Sequence, residues 1–177
     1  MKITVISSSP HRNGTSARLV SEFIRGAEEK GHEVFRFDAA FEDIHSCIAC
    51  YRCVETGEGC VFKDSMEKLN PHLLDCDLIA FATPIYYYNM NGQLRTVIDR
   101  FFANNEKLMG TKKSVLMMTR EDDTTESVDG PILSYQNMLR YMKWEDCGVI
   151  AALNCGDMES MDKTEYPQKA YELGYGL

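Results

Sequence analysis

The chain has no long hydrophobic run. No stretch approaches the ~18 apolar residues that a membrane span requires. Its start, MKITVISSS, goes straight into an alternating apolar run, without the h-region and cleavage site of a signal peptide. The expectation is a cytoplasmic protein with no membrane partner, a setting in which thiols stay reduced. Positive charge is also scarce: 19 Lys and Arg stand against 27 Asp and Glu, a net charge of −8, and the basic residues are scattered. Nucleic-acid affinity comes from a basic face laid on phosphates, so no nucleic-acid partner is expected. The two common nucleotide fingerprints, GxxxxGK[ST] and GxGxxG, are missing, and there is no internal repeat or low-complexity tract.

What is present is an ordinary globular composition and a strand–helix alternation. The length of 177 residues suits one domain over 1–177, long enough to bury a core without staples. Short β-branched or apolar runs at 2–7, 33–38, 77–83, 114–119 and 148–154 predict five strands. Segments 15–30, 64–74, 92–105, 131–144 and 164–173 carry helical spacing, with Pro71 a possible break in the second and Pro131 in the first turn of the fourth. Pro84 is expected to end the third strand, and the acidic run 121–129 to be an exposed loop. Strands alternating with helices predict a three-layer α/β/α fold around a parallel sheet, with ligands held beyond the C-terminal strand ends.

Two of those loops carry chemistry. The first, SSSPHRNGTS at 7–16, gathers hydroxyls, His11 and Arg12 at a helix N-terminus, where free N–H groups and the positive dipole end favour a terminal phosphate. Residues 7–9 are neutral, against a response-regulator receiver, and the loop has no Cys nucleophile, against a low-molecular-weight phosphatase. The second, TPIYYYNMNGQL at 83–94, places three tyrosines at a strand end, where aromatic rings can wall off a planar ligand. Together they suit one ligand with a phosphate at one end and a flat ring at the other.

A third segment, CIACYRCVETGEGC at 47–60, holds four of the seven cysteines. C-x2-C-x2-C with a nearby fourth Cys matches compact [4Fe–4S] ligation. A four-cysteine zinc site usually has two C-x2-C knuckles farther apart. Zinc, and thiols without metal, stay open as alternatives. Gly57 and Gly59 would let the chain turn back to deliver Cys60. Cys76 and Cys147 read as core thiols.

SSSPHRNGTSARL resembles the phosphate loop of flavodoxin-like NAD(P)H-dependent FMN reductases. TPIYYYNMNGQLRTVIDR resembles their isoalloxazine loop and following helix, and the cysteine segment resembles that of the iron–sulfur flavoprotein branch. The likeness runs from Met1 to about Leu108. It implies a flavodoxin-like fold with strand order 2-1-3-4-5, a Cys-rich insertion at about 39–63, and FMN at the switch point. By position, Ser9, His11, Arg12, Asn13, Thr15 and Ser16 would hold the phosphate, and His11 stands where Arg is common. Thr83, Pro84, Ile85, Tyr86 and Tyr87 would line the ring, with Thr119 reaching it from the other side. Cys47, Cys50, Cys53 and Cys60 would hold a [4Fe–4S] cluster at the edge of the flavin site, in the same subunit or a neighbour's. The implied activity is electron transfer between ferredoxin or NAD(P)H and a small acceptor such as oxygen, peroxide or a quinone, in a homodimer or homotetramer. The alternatives are a cluster-free NAD(P)H-dependent quinone, azo or flavin reductase, and a flavodoxin-like carrier or sensor. No general acid or base is compelling; His45, beside Cys47, is the one candidate proton donor. Ferredoxins are usually acidic, so the net charge of −8 opposes that encounter.

Overall fold

The computed structural model describes residues 1–110 and 112–177. In chain order the elements are β1 (Lys2–Ser7), α1 (Thr15–Glu29), β2 (Glu33–Asp38), a 3-10 turn (Ala39–Phe41), α2 (Arg52–Thr56) and α3 (Met66–Asp75). They continue with β3 (Leu78–Tyr86), β4 (Asn89–Met90), α4 (Gly92–Arg100), a second 3-10 turn (Phe101–Asn104) and α5 (Asn105–Leu108). The last are β5 (Lys113–Thr119), α6 (Glu126–Met142), β6 (Glu145–Ala152), α7 (Met158–Asp162) and α8 (Tyr166–Tyr175).

Period-two alternation builds the sheet. Ile3 and Val5, Leu78 and Ala80, and Val115 and Met117 face one core, while Ile6, Ile79, Phe81, Leu116 and Met118 face the other. Strands buried on both faces need helices on both sides, which the two cores supply. Leu19, Val20 and Phe23 of α1 and Ala170 of α8 cover the first face; Leu69, Leu94, Val97, Tyr135 and Leu139 of α3, α4 and α6 cover the second. A fully buried side chain such as Phe23 contributes about 1.5–3 kcal/mol. Five parallel strands run in the order β2-β1-β3-β5-β6, and the two-residue β4 pairs antiparallel with the end of β3. The parallel order is the expected one, with β4 as a sixth strand that alternation did not reveal.

Several boundaries differ from expectation. β3 runs past Pro84 to Tyr86, because Pro84 fits extended backbone and stays in register with Thr119 of β5. α3 continues through Pro71. α6 begins at Glu126, so the acidic run is only partly a loop and Pro131 lies in the second turn. Glu126 and Asp129 suit the positive end of that helix, and buried Ser127 and Val128 anchor its first turn. Cys76 is buried, but Cys147 is only half-buried because β6 is an edge strand. Among the described residues, no helix is long and apolar enough to cross a membrane.

Candidate functional site

Beyond the C-terminal strand ends lies a crevice of about 700 Å³. One wall is the whole loop from Ser9 to Ser16, which includes Ser9, His11, Arg12, Asn13, Thr15 and Ser16. No side chain caps the start of α1 and its first turn has no acidic residue, so its N–H groups are open to an anion. Pro84, Ile85 and Tyr86 form a second wall. Thr119, Arg120, Glu121, Cys155, Gly156, Asp157 and Met158 close the third. This donor set fits FMN: hydroxyls and free amides at one end, apolar and aromatic surface at the other.

Two of the expected residues, Thr83 and Tyr87, do not line this crevice, and Thr119 does. The Thr83 hydroxyl is buried and does not line the crevice; it donates to the Pro84 carbonyl (2.8 Å) and accepts from the Asn91 amide (3.2 Å). Tyr87 is 99% exposed at the tip of the β3–β4 hairpin, outside the crevice. Thr119 bonds Ser16 through their buried hydroxyls at 2.7 Å, which puts it beside the hydroxyl-rich loop at the start of α1.

Sequence reasoning missed Asn91, which frames the site. Its side chain caps α4 by accepting from the Leu94 amide (3.2 Å) and donates to the Ser8 carbonyl (2.7 Å). One buried residue thus ties the phosphate loop to the tyrosine loop, a long-range contact with no local sequence signal. The hairpin between them is strained. Tyr86 pairs with Asn89, and the two residues between, Tyr87 and Tyr88, both have positive φ (48° and 60°). Two-residue hairpins of type I′ need that geometry and usually fill it with Asn-Gly. Arg120 packs over the Tyr88 ring at 4.8 Å and grips Asp122, whose carboxyl it pushes down to about 2.

Charge in the crevice is mixed. Arg12 lies over the Phe41 ring at 3.6 Å. Asp157 is occupied as the cap of α7, accepting from the Ser160 amide, and burial pushes the Cys155 thiol up, so it stays protonated. His45 is not part of this crevice; it stacks on Phe62 at 4.7 Å, with Nδ1 3.4 Å from Asp64.

All four clustered cysteines line a second, smaller cavity, walled by Ile48, Val61, Phe62, Arg100 and Phe102. Cys47 and Cys50 lie in irregular loop and Cys53 in the short α2; Gly57 (φ 70°) and Gly59 (φ 87°) turn the chain back to Cys60. Ala49 and Tyr51 also have positive φ (53° and 58°), a costly conformation without glycine. All seven cysteines are free thiols. Among the described residues, no group of three or more His, Cys, Asp or Glu side chains is placed to hold a metal ion. The donor set, four thiols lining one cavity, is the kind that holds an iron–sulfur group by thiolate ligation.

A buried clamp closes the base of this loop. Arg100 donates to both Asp64 oxygens (2.6 and 3.3 Å) and to the His45 carbonyl (2.7 Å). Asp64 in turn accepts from the amides of His45 and Met66, each at 3.0 Å. Burial by itself raises the Asp64 pKa, but the Arg100 hydrogen bond and the two amides overcome it and bring it down to about 2. Within one chain the cysteine cavity and the larger crevice are separate. Among the described residues none lines both. The nine-residue α4, about 13 Å at 1.5 Å per residue, runs from the tyrosine-loop end to the cysteine end.

The chain matches the family of NADPH-dependent FMN reductases over residues 1–128. An iron–sulfur flavoprotein of Archaeoglobus fulgidus is 32% identical over 177 residues, 98% of this chain and 77% of that protein. One from Methanocaldococcus jannaschii is 37% identical over 112 residues, 62% of this chain, and the match spans only 56% of that relative's length. Among solved structures, an NAD(P)H:quinone oxidoreductase from Methanothermobacter marburgensis shares the fold, with a TM-score of 0.72 at 18% identity, covering 99% of this chain and 96% of that one. The flavodoxin-like sheet, the crevice at its switch point and these matches agree: the chain belongs to the NADPH-dependent FMN reductase family, in its iron–sulfur flavoprotein branch.

Proposed function

We propose that this chain is an FMN-dependent oxidoreductase carrying a [4Fe–4S] cluster on Cys47, Cys50, Cys53 and Cys60. It passes electrons between ferredoxin or NAD(P)H and a small acceptor such as oxygen, peroxide or a quinone. The carrying observation is the crevice itself, where an uncapped helix start and a hydroxyl-rich loop face an aromatic wall. FMN supplies hydride and single-electron chemistry when bound, and the cluster exchanges one electron at a time.

The chain's own residues bind, orient and exclude water. Ser9, Thr15, Ser16 and the loop amides hold the phosphate, with His11, Arg12 and Asn13 beside them. Pro84, Ile85 and Tyr86 wall the ring. Thr83 acts through Asn91 by holding the loop that carries that wall. The Ser16–Thr119 bond fixes the floor at the phosphate end. The setting in this reading is the cytoplasm, where thiols stay reduced and available as ligands. The exposed Tyr87 and Tyr88 suit a contact in a homodimer or homotetramer.

The test is iron and acid-labile sulfide per FMN in anaerobically purified protein, with its absorbance spectrum. One cluster per flavin supports the reading. Flavin bands without iron would assign the chain to cluster-free NAD(P)H-dependent reductases, and failure to take up FMN would end the crevice reading. Anaerobic bleaching by NADH, NADPH or reduced ferredoxin then identifies the donor.

A further inference from the structure

Arg100 sits at the C-terminal end of α4 and is only 3% exposed. Asp64 occupies the far edge of its guanidinium through both Nη atoms, and the His45 carbonyl takes a further bond from Nη1. Its Nε is buried and has no partner. Three buried side-chain nitrogens among the described residues share that condition, and of their parent residues only Arg100 lines the cysteine cavity. An unmade buried hydrogen bond costs about 1–3 kcal/mol, and more on a charged group, so it needs an explanation.

The rest of the cavity offers little to satisfy it. Ile48, Val61, Phe62, Phe102 and Ala103 are apolar; the guanidinium lies over the Phe62 ring at 5.3 Å, and Tyr51 is exposed with its ring edge-on to Phe102. Asp99 is half-exposed and faces Arg95 at 3.6 Å. The natural acceptors on this wall are the sulfurs of the four cysteines. We propose, resting on the cluster reading above, that Arg100 is a positioning and potential-setting residue for the iron–sulfur centre. Its Nε–H donates to a thiolate or sulfide sulfur, while Asp64 holds the guanidinium in place. Reduction adds one electron to the centre, so a hydrogen bond to sulfur favours the reduced state and raises the potential.

Arg100→Lys keeps the charge and a partner for Asp64 but removes the Nε–H. The expected result is a protein that retains iron, sulfide and FMN, with the cluster's reduced-to-oxidised ratio at fixed potential lowered at least tenfold, about 59 mV for one electron. An iron-loaded variant with an unmoved potential overturns the assignment. If the variant does not fold, wild-type protein with guanidino-15N arginine supplies the measurement. Pulsed EPR of its reduced cluster should show a 15N coupling, and an iron-loaded protein without one overturns the assignment alone. Wild-type protein holding FMN but neither iron nor sulfide overturns the cluster reading and this assignment together.

Discussion

Asp64→Asn should open the base of the cysteine loop, and the size of the effect follows from the clamp. Asp64 joins His45, Met66 and Arg100, and its side chain and that of Arg100 are 1% and 2% exposed. The Asp64 carboxyl, lowered from 3.8 to about 2, gains roughly 2 kcal/mol on folding. A depressed carboxyl pKa stabilises above the unfolded value, and that stability is lost as pH falls through the folded one. Wild-type protein should therefore lose this contribution between about pH 4 and pH 2. The substitution is harsher than protonation with relaxation, because Arg100 stays charged and buried beside a neutral amide; such broken pairs cost about 3–5 kcal/mol. For a chain of this length each kcal/mol moves Tm by about 2–4 °C, so the expected drop at pH 7 is about 6–20 °C. Urea and thermal unfolding of both proteins at pH 7, and again from pH 5 to 2, measure it. Other carboxylates titrate in the same window, Asp122 among them, so the decisive quantity is the gap between the two proteins. That gap should narrow as pH falls from 4 to 2. A loss under about 1 kcal/mol at pH 7, or a gap that stays constant with pH, would refute the clamp.

Three other perturbations follow. Replacing Tyr87 by Asn and Tyr88 by Gly fills the hairpin with residues that accept positive φ, and should raise the stability read from urea midpoints by about 1–3 kcal/mol. A Cβ at Gly26 would lie 2.1 Å from the Tyr171 carbonyl oxygen, so Gly26→Ala should push α1 off α8 and cost about 1–3 kcal/mol by chemical denaturation; an unchanged midpoint would contradict the close crossing. Cys50→Ser should abolish iron while leaving FMN bound, measured by metal analysis and flavin absorbance, and loss of both would undermine two separate cavities.

The layers were legible because their signal is local. Alternation in 3–6 and 114–119 places successive side chains on opposite cores, and the spacing of Leu19, Phe23 and Ala27 turns one face of α1 to the sheet. Boundaries were less so where two local signals compete. Pro84 reads as a stop, yet its fixed φ is compatible with extended backbone, and cross-strand pairing with β5 carried β3 onward. Pro131 reads as a helix start, yet the buried Val128 and the acidic first turn extended α6 upstream of it. β4 spans only two residues, too few for any period to show.

The loops that form the crevice were legible in the sequence. Ten of the twelve flavin-site residues expected from sequence line it, because a loop at a strand end delivers most of its side chains to the same edge. Thr83 and Tyr87 fell outside for opposite reasons. The buried Thr83 hydroxyl is taken up by Asn91 and Pro84, and Tyr87 stands exposed at the hairpin tip. The cysteine loop shows the same division more sharply. Its spacing exposes four sulfurs to any reader of the sequence, but what shapes the cavity is a pair of charges 36 positions apart, Asp64 and Arg100. Both fall within the stretches that resemble the family, just after the cysteine segment and at the end of the helix after the tyrosine loop, but nothing in the sequence pairs them. Only burial makes the pair costly to break and leaves Nε without a partner, so the feature that most constrains the loop's chemistry is one that composition and spacing do not encode.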